Sequence, residues 1–236
     1  MECVDCPVRR YTLYSSASDE DLINLNSARL GDLKYGRGRL IMEDQRDAAY
    51  VYTLRSGWAY AYSLLSDGRR QILNFFHPGD FLTLPGLFGK GIRASVRSVT
   101  EVHLCQFDKA KLQNLLMESK TTVPGLYEYL GFQKRGCDER MIRLGALNAE
   151  EAVAALILEF VHEAKKRESA DDDVRFPLKL VEVAETVGIT EIHAGRVIRE
   201  LERKGAILRT KPGWLKVKES DLSTILAPVE RLLASA

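Results

Sequence analysis

Between Thr190 and Lys218 the chain sets Arg196, Arg199, Arg203, Lys204, Arg209, Lys211, Lys216 and Lys218 against Glu191, Glu200 and Glu202. That local excess of about +5 is of the kind that releases counterions from a phosphate backbone. The 236-residue chain as a whole carries a formal charge of +1. That near-neutral total argues against indiscriminate nucleic-acid binding, and the positive excess falls on one short segment. Four thiols, Cys3, Cys6, Cys105 and Cys137, form the second reactive set. In a reducing compartment four cysteines are not expected to form a disulfide framework. Cys105 and Cys137 are the candidate redox thiols, Cys137 because an adduct on a helix seam would disturb the packing there.

The elements that must position the basic cluster are legible around it. Val181–Val187 and Glu191–Lys204 carry helical patterns separated by Gly188-Ile189-Thr190, where glycine supplies a turn and threonine an N-cap. Val197, Ile198 and Leu201 form an inward stripe, leaving His193, Arg196, Arg199 and Arg203 to face outward. Ala184 is small where two crossing helices must approach. Beyond the second helix, Ala206–Arg209 and Trp214–Val217 read as short strands joined through Lys211-Pro212-Gly213, a turn signal. The pattern predicts a winged helix-turn-helix. Its other reading is a winged helix used for protein contacts, with the charge serving solubility.

Upstream, Arg39 to Phe107 has the texture of a small antiparallel barrel or roll. Trp58, Tyr60, Tyr62 and Leu64 alternate with smaller residues, and Asp67-Gly68 makes a hairpin turn before Gln71–Phe76 returns. From Thr121 to Leu144 a helix carries Val123, Tyr127, Leu130, Lys134, Cys137, Met141 and Leu144 at heptad spacing. A second register uses Leu126, Leu130, Gln133, Cys137 and Arg140. The expected dimer-interface residues are Leu126, Leu130, Cys137, Met141 and Leu144. Leu147–Ala164 predicts a further helix capped by Asn148, and Glu168–Arg175 an exposed acidic connector. No run approaches a membrane span and the N-terminus lacks a signal-peptide pattern, so a cytoplasmic location is expected.

Leu54-Arg55-Ser56-Gly57, Asp67-Gly68-Arg69-Arg70-Gln71-Ile72, Pro78-Gly79-Asp80-Phe81 and the turn at Val187–Thr190 occur in the order and spacing found in CRP/FNR-family transcription regulators, which the chain resembles along nearly its whole length. The resemblance implies an α+β protein with a cupin-like antiparallel β-roll, a long dimerisation helix and a C-terminal winged helix-turn-helix. The corresponding boundaries are an N-terminal tail at 1–18, the cyclic-nucleotide-binding-like sensor roll at 19–119, the dimerisation helix at 120–146 and the winged domain at 147–236. It further implies a homodimer on a palindromic site in double-stranded DNA, with RNA polymerase as a partner and no catalytic residues. Ile192, His193, Gly195 and Arg196 match the family's base-reading positions. Ile192 departs from the glutamate of its best-known members, so their operator sequences do not transfer. Thr190, Arg199, Lys211 and Lys216 are the expected phosphate contacts.

Leu84 stands where the family's cyclic-AMP binders place a ribose-binding glutamate, and Ile92 and Ala94 depart from the phosphate motif beside Arg93 and Arg97. Cyclic AMP is not the expected effector; another small acid stays open. Cys3, Cys6 and Cys105 resemble three cysteines of the family's oxygen sensors, but Pro7–Ser18 supplies no fourth, and iron–sulfur clusters usually take four thiolates. Cys105 reads as a buried strand thiol, and Cys3 and Cys6 as part of a mobile tail. His77 lies in a turn and His103 on a strand, and neither is singled out as a haem ligand or a metal ligand. No cofactor is expected. The alternative function is a cupin-type small-molecule receptor or enzyme whose helical domain makes protein contacts. A regulator controlled by abundance alone fits the same residues.

Overall fold

Apolar residues alternating along short strands build the first half of the chain, and helical stripes build the second. The computed structural model describes residues 2–44, 49–82, 84–88, 94–167 and 173–233. Thr83, Ile92 and Arg93 of the segment weighed as an anion pocket lie outside the described residues, as do residues 168–172 of the acidic connector. The chain divides into two units, Met1–Gly136 and Cys137–Ala236.

In the first unit a 3-10 turn at Arg9–Tyr11 precedes α1 (Asp19–Ala28), β1 (Arg29–Tyr35), β2 (Leu40–Met42), β3 (Tyr50–Ser56), β4 (Ala59–Leu64) and β5 (Arg70–Phe76). The short α2 (Leu84–Phe88), β6 (Ser95–Ser98), β7 (Val102–Asp108), α3 (Lys109–Glu118) and α4 (Thr122–Ala146) follow, α4 continuing past the unit boundary. The strands form two antiparallel sheets ordered β1-β7-β3 and β2-β6-β4-β5. Period-two alternation makes β7 serve two cores. Val102 and Leu104 join Leu54, Ala61 and Val96 in one cluster. Phe107, with Cys105 at its edge, joins a second formed with Leu22 and Leu25 of α1 and Leu112 and Leu116 of α3.

Residues 2–18 are not a free tail. Leu13, Tyr14 and Ala17 are buried in this second cluster, with Cys3 packed against it. Burying a leucine-sized side chain contributes roughly 1.5–3 kcal/mol, so the segment lies down as a strap. It leads into α1 through a capping box. Ser18 Oγ accepts from the Asp21 amide at 3.1 Å and donates to the Asp21 carboxylate at 2.6 Å. The Thr121 hydroxyl donates to the same carboxylate.

The second unit continues with α5 (Ala149–Arg167), β8 (Asp173–Arg175), α6 (Leu180–Val187), α7 (Glu191–Arg203), β9 (Ile207–Lys211), β10 (Trp214–Val217) and α8 (Glu219–Leu233). Asn148 Oδ1 caps α5, accepting from the Glu150 and Glu151 amides at 2.9 and 3.1 Å. Val153, Leu156, Ile157 and Phe160 of α5 are buried, and Phe160 meets Phe176 edge-on at 5.0 Å. Arg143 near the end of α4 is buried and pairs with Glu159 at 2.7 Å. The acidic connector ends in structure, correcting the sequence expectation. β8 pairs with β10 in a sheet ordered β8-β10-β9, because Val174 can bury its side chain while the neighbouring backbone groups gain ladder hydrogen bonds.

The bonds from Ser18, and next from Thr121, hold the Asp21 carboxyl down at about 2. They favour the carboxylate, so the stabilisation is full above the ordinary carboxyl value near ~3.9 and is lost as pH falls through the lowered one. Asp21→Asn should lower the Tm at neutral pH and flatten the loss of stability between about pH 4 and about pH 2. Thermal unfolding of both proteins across that range checks it; curves that stay parallel would count against the assignment.

Candidate nucleic-acid interface

Three residues shape the turn between α6 and α7. Gly188 adopts φ +73°, the left-handed conformation at a helix C-cap that a side chain resists. Its amide and that of Ile189 both return to the Ala184 carbonyl. Thr190 then caps α7, its hydroxyl accepting from the His193 amide at 3.2 Å; such a cap contributes about 1 kcal/mol. Ala184, Ala194, Val197 and Leu201 are buried. Gly195 is buried too, so close to Leu180 that a methyl group there would sit 3.2 Å from its Cδ2. Ile192, His193 and Arg196 face solvent, Ile192 with 71% of its surface exposed. Of the four expected base-reading positions, Gly195 alone is turned inward, where its missing side chain leaves room for Leu180.

The basic excess of the sequence is partly neutralised. Glu200 holds Arg203 in a fork at 2.8 and 2.5 Å. Glu202 holds Arg209 of β9 in another at 2.7 and 2.6 Å, tying the last turns of α7 to the wing. Lys204 reaches Glu150 at the start of α5. Hydrogen bonding from Arg209 lowers the Glu202 carboxyl below its ordinary range, and Arg203 does the same for Glu200. Arg196 and Arg199 are exposed and make no ion pair among the described residues. Lys211 lies over the Trp214 ring at 4.2 Å, and Lys216 is exposed on β10. Between α7 and the wing is a cleft of about 510 Å³, lined by Ile198 and Arg199 on one side and Lys211, Gly213 and Trp214 on the other.

The model for cyclic nucleotide-binding domains matches residues 32–119, the strands of the roll. The nitrogen fixation regulation protein FixK of Bradyrhizobium diazoefficiens is 30% identical over 206 residues, 87% of this chain and 85% of that protein. The chain belongs to the CRP/FNR family of transcription regulators. A fumarate and nitrate reduction regulatory protein of Salmonella typhimurium matches at 20% identity over 235 residues, covering 99% of this chain and 93% of its own. The solved structure of FixK2 from Bradyrhizobium japonicum aligns with a TM-score of 0.74 at 23% identity, over 83% of this chain and 96% of that one. This last likeness is one of fold, and it agrees with the roll and winged domain seen here. No described helix is long and apolar enough to cross a membrane.

On α4 of this CRP/FNR regulator, Tyr127, Leu130, Cys137, Met141 and Leu144 are exposed at spacings of three, four or seven residues, which places them on one helix face. The other side of the helix is occupied within the first unit, where the Tyr129 hydroxyl accepts from the Phe81 amide at 3.0 Å. Leu126, expected on the seam, is half-buried against the strap's cluster. The exposed stripe follows the register through Tyr127 and Met141 rather than the one through Gln133 and Arg140.

In the roll, His77 is buried edge-on to Trp58 at 4.8 Å, with its amide donating to Asp80 at 2.8 Å. His103 meets Arg55 at 3.2 Å and Glu101 at 3.5 Å, so the two histidines serve separate local contacts. Leu84 is buried in the second cluster and Arg97 donates to the Gly38 carbonyl at 2.8 Å. Cys105 is half-buried rather than fully buried, and it shares a cavity with Cys3 and Cys6. A four-thiolate cluster of the oxygen-sensing kind does not fit: three thiols line this cavity, and they are not grouped as ligands. Among the described residues, no three His, Cys, Asp or Glu side chains are grouped to hold a metal ion. The convergence escaped sequence reasoning because the strap that carries Cys3 and Cys6 looked like a tail.

Glu202→Gln should free Arg209 for a phosphate and steepen the salt dependence of DNA binding by about one unit in the log–log slope. Titrations with a non-specific duplex at several salt concentrations measure this. An unchanged slope would show that Arg209 is already fully engaged in the wild type or never reaches DNA.

Proposed function

We propose that this regulator acts as a homodimer, reading a two-fold symmetric site in double-stranded DNA with the exposed face of α7 in the major groove. The observation that carries the reading is the outward set Ile192, His193 and Arg196 on a capped, tightly seated helix, flanked by Arg199, Lys211 and Lys216. Arg196 can engage guanine through a bidentate fork, and Ile192 suits the apolar surface of a thymine methyl. His193 is within reach of a base edge or a phosphate. Arg199, Lys211, Lys216 and the Thr190 hydroxyl serve the backbone, which fixes orientation without reading sequence. Gly195 acts indirectly by letting α7 seat against α6.

The second copy packs along α4 through Leu130, Cys137, Met141 and Leu144, with Leu126 at the margin where the helix turns into its own roll. A parallel helix pair of this kind sets the two α7 helices about 34 Å apart, one turn of DNA. An effector or redox change in the roll alters that spacing through α4 and so shifts the population competent to bind. RNA polymerase is the further partner that family membership implies.

The test is fluorescence anisotropy against duplexes selected from a randomised palindromic pool, under reducing and then oxidising conditions. Arg196→Ala should cost about 1–3 kcal/mol on the preferred duplex and relax selection at one base position. Lys216→Ala should lower the salt slope by about one and leave the preferred sequence unchanged. Wild-type affinity in the Arg196 variant would remove that residue from base reading. Failure to select any duplex in either redox state would overturn the reading as a whole.

A further inference from the structure

Residues 176–178 and the wing do not close fully on α7. The gap is the cleft of about 510 Å³, a size at which small organic ligands are held. Its floor is apolar, formed by Phe176, Leu180, Val183, Ile198, Ile207 and Leu215. Gly195 keeps the wall open. A methyl group there would stand 3.2 Å from Leu180 Cδ2 and 3.7 Å from Arg199 Nη1, so the guanidinium lies back along α7 at the cleft. Arg199 is exposed and makes no ion pair among the described residues. Lys211 stands across the cleft over the half-buried Trp214 ring at 4.2 Å. A third lining cation, Arg209, is held by Glu202. No residue that lines the cleft is an acid. An apolar floor beneath two available cations is complementary to an anion with an apolar body.

We propose that this cleft binds an arylalkyl carboxylate, a small organic acid with a flat apolar body, which competes with DNA for Arg199 and Lys211. The carboxylate meets the Arg199 guanidinium, which can grip both oxygens in a fork, with Lys211 as the second cation. The ring lies beside Trp214, where aromatic groups pack edge-on or offset, and covers Leu178 and Ile198. The lining selects this chemistry from both sides. A sugar or nucleotide would press its hydroxyls against an apolar floor and lose their hydration. A neutral hydrocarbon would gain nothing from the two cations. Occupancy of the cleft is independent of the operator reading; the competition rests on it, since Arg199 and Lys211 are there the phosphate contacts. Acid and DNA then weaken each other by the same factor. The winged domain would thereby carry a chemical input of its own, separate from the roll.

The probe is 4-phenylbutyrate, with 4-phenylbutan-1-ol as its uncharged counterpart. Full-length protein carrying Trp58→Phe keeps Trp214 as its one tryptophan, and its emission should change saturably with the acid. Calorimetric titration of the wild-type chain reads the same binding without the substitution. The alcohol should bind at least ~10-fold more weakly, and Arg199→Gln and Lys211→Gln should each weaken the acid by ~5-fold or more. Arg203→Gln, on the same helix but engaged by Glu200, should leave acid binding unchanged. Both cleft substitutions are on exposed side chains, and circular dichroism confirms that the variants fold. A second arm adds a non-specific duplex, whose affinity the saturating acid should lower. The first arm contains no DNA, so failure of the operator reading leaves it standing. No saturable binding, equal binding of acid and alcohol, or wild-type affinity in both cleft variants would overturn the site. Acid binding that leaves duplex affinity unchanged would overturn the competition.

Discussion

The basic face depends on how closely α6 and α7 approach each other. Gly195 leaves room for Leu180, Ala184 and Ala194 keep the crossing thin, and Gly188 turns the chain sharply enough for Thr190 to cap the next helix. Each is a requirement of packing, yet together they decide which α7 side chains point outward. A side chain at 195 would press first on Leu180, whose Cδ2 would have to give by a few tenths of an ångström.

Charge on that face is rationed by neighbouring acids. Glu200 and Glu202 take up Arg203 and Arg209, and Glu150 takes up Lys204. Exposed pairs of this kind add little stability, so their main effect is on the field: they neutralise Arg203, Lys204 and Arg209 and leave Arg196 and Arg199 as the exposed arginines of α7 that make no ion pair among the described residues. A face built this way has fewer charges for indiscriminate phosphate binding than its composition suggests. The Glu202–Arg209 fork also joins α7 to β9, so the helix and the wing are presented as one surface.

In the roll the same economy applies to β7. One side of the strand fills the core shared with the second sheet, and the other meets α1, α3 and the strap. Tyr14 of the strap lines the thiol cavity and meets Phe81 edge-on at 5.8 Å; Phe81 in turn meets Tyr129 of α4 at 6.3 Å. These ring contacts pack the strap against the helix that carries the exposed stripe.

Local pattern was enough to reveal the helix-turn-helix, the wing hairpin, the α4 stripe and the hairpins of the roll, because each depends on periodicity, caps or turn residues within a few positions. The outward placement of Arg196 and His193 follows from the same 3.6-residue period. Tertiary structure alone decided the rest. The Glu200–Arg203 pair is an i,i+3 contact that spacing could have flagged, but Glu202 and Arg209, or Glu150 and Lys204, are joined only when distant elements fold together. Gly195 looked like a contact residue until its neighbour Leu180 was in place. The strap, β8 and the meeting of Cys3 with Cys105 left no local signature, since what holds them is burial against residues far along the chain.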